Sequence, residues 1–122
     1  MYKRTSKYNA KKTEVDDIKF DSKAEADFYG YLKYLKKAKM ISSVERQKRI
    51  VILPSYEIEG RKVRAVHYIA DFVITYIDGE VEYVDVKGYE TDIFKLKKKM
   101  FESMYGTPLR KARKVKGEWK IE

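Results

Sequence analysis

The stretch Tyr68-Ile69-Ala70-Asp71-Phe72-Val73-Ile74-Thr75-Tyr76-Ile77-Asp78-Gly79-Glu80-Val81-Glu82-Tyr83-Val84-Asp85-Val86-Lys87-Gly88 decides how the chain folds and what chemistry it can hold. It is rich in β-branched and aromatic residues and broken by Asp78-Gly79, so it reads as two antiparallel strands joined by a tight turn. Side chains alternate faces along a strand, which points Asp85 and Lys87 to one side while Val84 and Val86 bury on the other. A carboxylate and an amine are thereby held side by side. Whether Asp71 joins them depends on the turn. With a two-residue loop, Asp78-Gly79, Ile77 pairs with Glu80 and Asp71 falls opposite Val86, facing away from Asp85. With a three-residue loop, Ile77-Asp78-Gly79, in which Gly79 forms a left-handed bulge, Tyr76 pairs with Glu80 and Asp71 stands opposite Asp85. That register puts Ile69, Asp71, Val73, Tyr83, Asp85 and Lys87 on one face, where opposed carboxylates repel unless a cation lies between them. The three-residue loop is the expected one, and with it a divalent-metal site beside a lysine.

Working outward, Asp21-Ser22 opens a helix to about Lys39, with Ala24, Phe28, Tyr31, Leu32, Leu35 and Ala38 at helical spacing. Val44 to Leu53 reads as a strand closed by Pro54-Ser55, and Glu59-Gly60 turns into a long, bent strand from Lys62 to Ile77. After Gly88, Thr91 or Asp92 caps a second helix whose predicted apolar stripe is Ile93, Leu96, Met100, Phe101 and Met104, with Gly106 as its stop. A last strand is expected from Leu109 to Val115, with Trp119 anchoring the end. The order is αβββαβ, which predicts an α/β (α+β) fold with a mixed central sheet flanked by helices. Residues 1–19 read as a basic N-terminal arm, and residues 20–122 as a single domain with a basic tail.

Composition narrows the function classes. The chain has 122 residues, enough for one core, and no cysteine, which excludes disulfides, zinc–thiolate sites and cysteine nucleophiles. No run of about 18 apolar residues is present, and Met1-Tyr2-Lys3-Arg4 leads into no apolar segment, so neither a membrane span nor a secretory signal is expected. Both features point to an intracellular, cytoplasmic location. The net charge is +9, with 39% of residues charged. The excess is clustered: Lys3, Arg4, Lys7, Lys11 and Lys12 at one end, and Arg110, Lys111, Arg113, Lys114 and Lys116 at the other. Polyanions, DNA or RNA, are the expected partners, because neutralising phosphates releases counterions.

Glu25 is the third candidate acid. Ser22-Lys23-Ala24-Glu25 matches a capping box, in which Glu25 reaches back to the backbone of Ser22. It also lies one helical turn from Phe28 and Tyr29 and borders the apolar face, where a carboxylate seeks a cation or a donor.

Taken together, the acid in the first helix, Asp71 ending Tyr68-Ile69-Ala70-Asp71, the tripeptide Asp85-Val86-Lys87 and the basic second helix resemble the PD-(D/E)XK nuclease superfamily. Ile18-Lys19-Phe20-Asp21-Ser22-Lys23-Ala24-Glu25 and Phe94-Lys95-Leu96-Lys97-Lys98-Lys99 add a closer resemblance to small phage and prophage proteins catalogued as a domain of unknown function. The similarity runs from about Lys7 to Tyr105. Ala70 departs from the pattern, standing where the superfamily's proline precedes the aspartate. The resemblance implies a restriction-endonuclease-like core, a phage or prophage origin in a bacterial host, and a Mg²⁺-dependent DNA endonuclease. Branched or Holliday-junction DNA, in recombination or packaging, would be its substrate. Asp71, Asp85, the Val86 carbonyl and Glu25 would hold Mg²⁺, or Mn²⁺ in its place, since hard cations take carboxylate and carbonyl oxygens. Lys87 would orient the attacking water and stabilise charge on the phosphate.

Lys95, Lys98 and Lys99, on the outer face of the second helix, are candidate phosphate contacts, as are Lys11, Lys12, Arg110 and Lys111. Lys97 borders the apolar stripe and points toward the site. His67 reads as a packed or hydrogen-bonded histidine, and Gln47 sits where related nucleases place a supporting polar residue. Cutting two strands requires two sites, which a homodimer would supply. The competing class is a non-catalytic nucleic-acid-binding protein that keeps the fold.

Overall fold

Residues 13–86 and 89–122 are described by a computed structural model. Two short strands, β1 (Thr13–Val15) and β2 (Ile18–Phe20), form an antiparallel hairpin. Asp16 and Asp17 both adopt positive φ (54° and 62°), as a two-residue hairpin turn requires, and aspartate tolerates this better than most residues. The expected arm is therefore ordered strand from Thr13 onward. Lys11 and Lys12 lie outside the described residues.

Helix α1 (Lys23–Lys37) is capped by Ser22, whose hydroxyl accepts the Glu25 N–H at 3.1 Å, and its last turn carries Lys36 and Lys37, favourable at the negative end of the helix dipole. It buries Ala26, Phe28, Leu32 and Leu35; Ala24, expected in the stripe, faces solvent. The chain continues through β3 (Ile41–Leu53) into a small exposed hairpin, β4 (Tyr56–Ile58) and β5 (Arg61–Val63). This hairpin replaces the first part of the single long strand expected from Lys62, which begins only with β6 (Val66–Tyr76). Strand β7 (Val81–Val86) is followed by α2 (Asp92–Tyr105), β8 (Leu109–Val115) and β9 (Glu118–Ile121).

The central sheet has the order β3-β6-β7-β8-β9, antiparallel throughout except between β7 and β8, which α2 connects as a crossover. The fold is a mixed α+β arrangement of a five-stranded sheet with two helices. Neighbouring residues of the central strands face opposite cores. Phe72, Ile74 and Val84 pack with Phe28 and Leu32 of α1, whereas Val73 and Tyr83 pack with Phe94 and Phe101 of α2. Trp119 on β9 closes the first core edge-on against Phe28, with ring centroids 5.0 Å apart.

In α2 the stripe differs from the expected one. Phe94 and Phe101, seven residues apart, are buried, while Ile93, Leu96 and Met104 are 62%, 54% and 45% exposed. The chain carries two overlapping apolar stripes here, and the aromatic one wins because Phe101 meets the rings of Tyr68 and Tyr83 at 6.3 and 5.0 Å. Thr91 caps the helix by accepting the Phe94 N–H at 3.0 Å, and Gly106 ends it at φ 66°. Among the described residues no helix is long and apolar enough to cross a membrane.

Candidate functional site: an opposed carboxylate pair

The turn between β6 and β7 sets the site. Val73 pairs with Tyr83 and Phe72 with Val84. The Tyr76 N–H donates to the Glu80 carbonyl at 2.8 Å, the Gly79 N–H donates to the Tyr76 carbonyl at 2.9 Å, and Gly79 has φ 91°. This is the three-residue loop with its glycine bulge, and continuing its register by one step sets Asp71 opposite Asp85.

At that step side chains take over from the backbone ladder. The Asp71 N–H donates to Asp85 Oδ1 at 2.9 Å, and the Val86 N–H donates to Asp71 Oδ2 at 3.0 Å. Each carboxylate thus binds a backbone N–H on the opposite strand. The Tyr68 hydroxyl donates to Asp85 Oδ2, so both Asp85 oxygens are engaged. Asp85 is 1% exposed, the one charged side chain buried among the described residues, while Asp71 is half-buried. Burying a carboxylate is costly unless hydrogen bonds replace its water, which Asp71 N–H and Tyr68 O–H do here.

A second feature was not visible as a motif. Arg46 pairs with Phe72 and Lys48 with Ala70, which places Gln47 opposite Asp71 on the other side of β6. Gln47 has φ 50°, a left-handed conformation in mid-strand. Across this step both strands change face. Val44 and Phe72 pack on the α1 side, but Ile50, Ile52, Tyr68 and Ala70, of the same parity, pack on the α2 side. Ile69 is consequently 51% exposed rather than sharing the buried face with Val73. The switch brings Tyr68 to the side from which it reaches Asp85. Its trace in the sequence is the run Tyr68-Ile69-Ala70-Asp71-Phe72-Val73-Ile74, apolar on both sides of Asp71 without strict alternation.

The remaining candidates divide as follows. Glu25 is half-buried at the first turn of α1, but among the described residues no group of three or more His, Cys, Asp or Glu side chains is placed to share a metal ion. Val86 contributes its N–H to Asp71. Lys87 and Gly88 lie outside the described residues. Lys97 donates to the His67 carbonyl at 3.2 Å, not to an acid, and the His67 ring meets Arg49, with Nδ1 3.4 Å from a guanidinium nitrogen. Lys95 and Lys99 are exposed and Lys98 half-buried. Arg110 lies 3.9 Å from Glu82 and Lys111 3.3 Å from Glu90, so these two cations already face carboxylates.

The donor set suits a small hard cation. Mg²⁺ is commonly held by one or two carboxylates, keeping its other positions for water and phosphate oxygens, and Asp71 and Asp85 are the residues that would hold it. The half-exposed Asp71 is the member through which such a cation would meet solvent.

No curated protein and no solved structure matches the chain. A family pattern matches residues 5–122, nearly the whole length, and the chain belongs to that family, described as a protein of unknown function (DUF1064).

Proposed function

We propose that this chain is a metal-dependent endodeoxyribonuclease of the PD-(D/E)XK type, hydrolysing phosphodiester bonds in DNA, with branched DNA its preferred substrate. The observation that supports the reading most directly is the register of β6 and β7, which opposes Asp71 and Asp85. Such a pair in a chain of net charge +9 has little use in a protein that only binds phosphates, where carboxylates repel the ligand. A bound Mg²⁺ or Mn²⁺ would supply Lewis-acid stabilisation of the charge growing on the phosphate. Asp71 and Asp85 would hold it, Tyr68 would keep the Asp85 carboxylate in one orientation through its hydroxyl, and Lys87 is assigned to position the attacking water. Water adds to phosphorus, the bond to one bridging ester oxygen breaks, and that oxygen leaves with a proton.

One observation favours the second reading, a DNA-binding protein that keeps the scaffold without cutting. Both Asp85 oxygens are occupied by Tyr68 and the Asp71 backbone, as in a structural carboxylate. Incubating supercoiled, linear and four-way-junction DNA with Mg²⁺, Mn²⁺ or EDTA separates the two. The nuclease reading expects nicking in either metal, none in EDTA, and loss of at least a hundredfold in Asp71→Asn, Asp85→Asn and Lys87→Ala. Cutting that persists in EDTA or in all three variants refutes it.

A further inference from the structure

Beside the carboxylate pair, between the start of β6 and the first turns of α2, lies a groove of about 470 Å³. Its floor is the rings of Tyr68 and Phe94, 5% and 6% exposed, and its walls are the exposed side chains of Ile69 and Ile93. Arg49, His67 and Lys97 line its rim. The described hydrogen bonds of the two cations go to His67, so an anion can still draw on their charge. The floor continues into the site, because the same Tyr68 whose ring lines the groove donates its hydroxyl to Asp85.

We propose that this groove receives an unpaired stretch of DNA next to the cut. A duplex shows phosphates and sugars to a protein surface but hides its base faces in the stack. Arg49 and Lys97 alone would suit a duplex. Two isoleucines exposed between cations suit a strand whose bases are turned out, since a basic track follows the backbone of a single strand and a base face laid on Ile69 and Ile93 removes their apolar area from water. The volume lies within the range of about 300–1,000 Å³ usual for small-ligand sites and suits a nucleotide rather than a helix. The groove thereby gives the proposed nuclease a physical reason to prefer branched or frayed DNA, where such strands occur. This rests on the nuclease reading for the role of the neighbouring carboxylates, but not for binding itself.

The test is therefore made in EDTA, where no metal-dependent cutting occurs. Fluorescence anisotropy measures binding of a labelled decathymidylate and of a ten-base-pair duplex to the full chain. The Ile69→Ser/Ile93→Ser double variant, the milder Ile93→Ala and Arg49→Ala are compared, with thermal melting as a fold control. The wild-type chain should bind the single strand more tightly than the duplex. The double variant should lose on the order of tenfold for the single strand, as expected when about 1.4 kcal/mol of apolar burial is lost, and less than twofold for the duplex. Ile93→Ala should shift the same way by a smaller factor, and Arg49→Ala should weaken both ligands. Preference for duplex in the wild type, or equal losses on both ligands in the isoleucine variants, overturns the proposal. Single-strand preference without any metal-dependent cutting would overturn the nuclease reading and leave the groove standing; cutting without that preference does the reverse.

Discussion

Replacing Tyr68 by Phe removes one oxygen from the site and little else. The ring stays packed against Phe94 and Phe101, each with centroids 6.3 Å away, so the hydrophobic contribution is retained. Asp85, 1% exposed, keeps the Asp71 N–H on Oδ1 but loses the Tyr68 hydroxyl on Oδ2. A hydrogen bond to a charged group contributes about 1.5–3 kcal/mol, and water cannot easily replace it at a buried oxygen, so the variant should be less stable by about 2 kcal/mol. At this chain length that corresponds to roughly 8 °C in melting temperature. Urea denaturation should show a lower midpoint with an unchanged slope, since the surface exposed on unfolding is the same. A double-mutant cycle with Asp85→Asn isolates the pair: if the hydroxyl acts through Asp85, most of the loss should disappear in the Asn background. A Tyr68→Phe cost below about 0.5 kcal/mol, or equal costs in both backgrounds, would refute the reasoning that Tyr68 is what makes the buried carboxylate tolerable.

Three other positions give separate checks. Gln47→Gly relieves a left-handed conformation that costs other residues about 1–2 kcal/mol, so stability should hold or rise slightly and the Mg²⁺ binding proposed for the pair, read by calorimetry, should match wild type, whereas β-branched Gln47→Val should lower both. If Gly and Val weaken binding equally, the Gln47 side chain matters rather than its backbone. Gly79→Ala meets no atom within 4 Å of the added carbon, so its cost, about 1 kcal/mol by chemical denaturation, should come from φ 91° alone. At Tyr76, burial and then the hydrogen bond to Glu82 push the phenol above its ordinary value of 10.0. The folded state therefore holds this proton more tightly than the unfolded one, and the contribution is complete below pH 10 and lost as pH climbs beyond it toward the folded value. Denaturation midpoints measured across that range should fall less steeply in Tyr76→Phe than in wild type; identical slopes would show that the phenol does not titrate differently on folding.

Local chemistry was legible where one residue has one structural solution. Asp78-Gly79 announced its turn, Asp21-Ser22 and the pair Thr91 or Asp92 announced the helix starts, and Gly106 announced a stop, because caps and left-handed positions admit few residue types. The opposition of Asp71 and Asp85 followed from counting residues around that turn. What escaped the sequence was decided at longer range. Ile93, Leu96 and Met104 satisfy helical periodicity as well as Phe94 and Phe101 do, and only the rings waiting on β6 and β7 choose between the stripes. The exposed hairpin of Tyr56 to Val63 was missed: its first strand is only three residues long, and its second merged with the next strand because β-propensity runs through both. Arg110 and Lys111 read as free basic charge because Glu82 and Glu90 are brought to them only by the fold.

The face switch at Gln47 and Asp71 explains why the two aspartates, alike in sequence, differ in the site. In a regular pair both would occupy one face with equal access to solvent, and their N–H groups would pair with carbonyls. Here the left-handed turn at Gln47 accompanies a rotation of β6, Tyr68 swings to the Asp85 side, and the ladder yields to carboxylate–amide bonds. Asp85 becomes a fixed, desolvated anchor held on both oxygens. Asp71, held on Oδ2 by Val86 and half-buried, keeps access to solvent. The asymmetry of the pair, one carboxylate desolvated and held on both oxygens and the other open to solvent, thus coincides with a single positive φ on the neighbouring strand, and in the proposed nuclease the outer partners Tyr68 and Val86 would orient the two ligands.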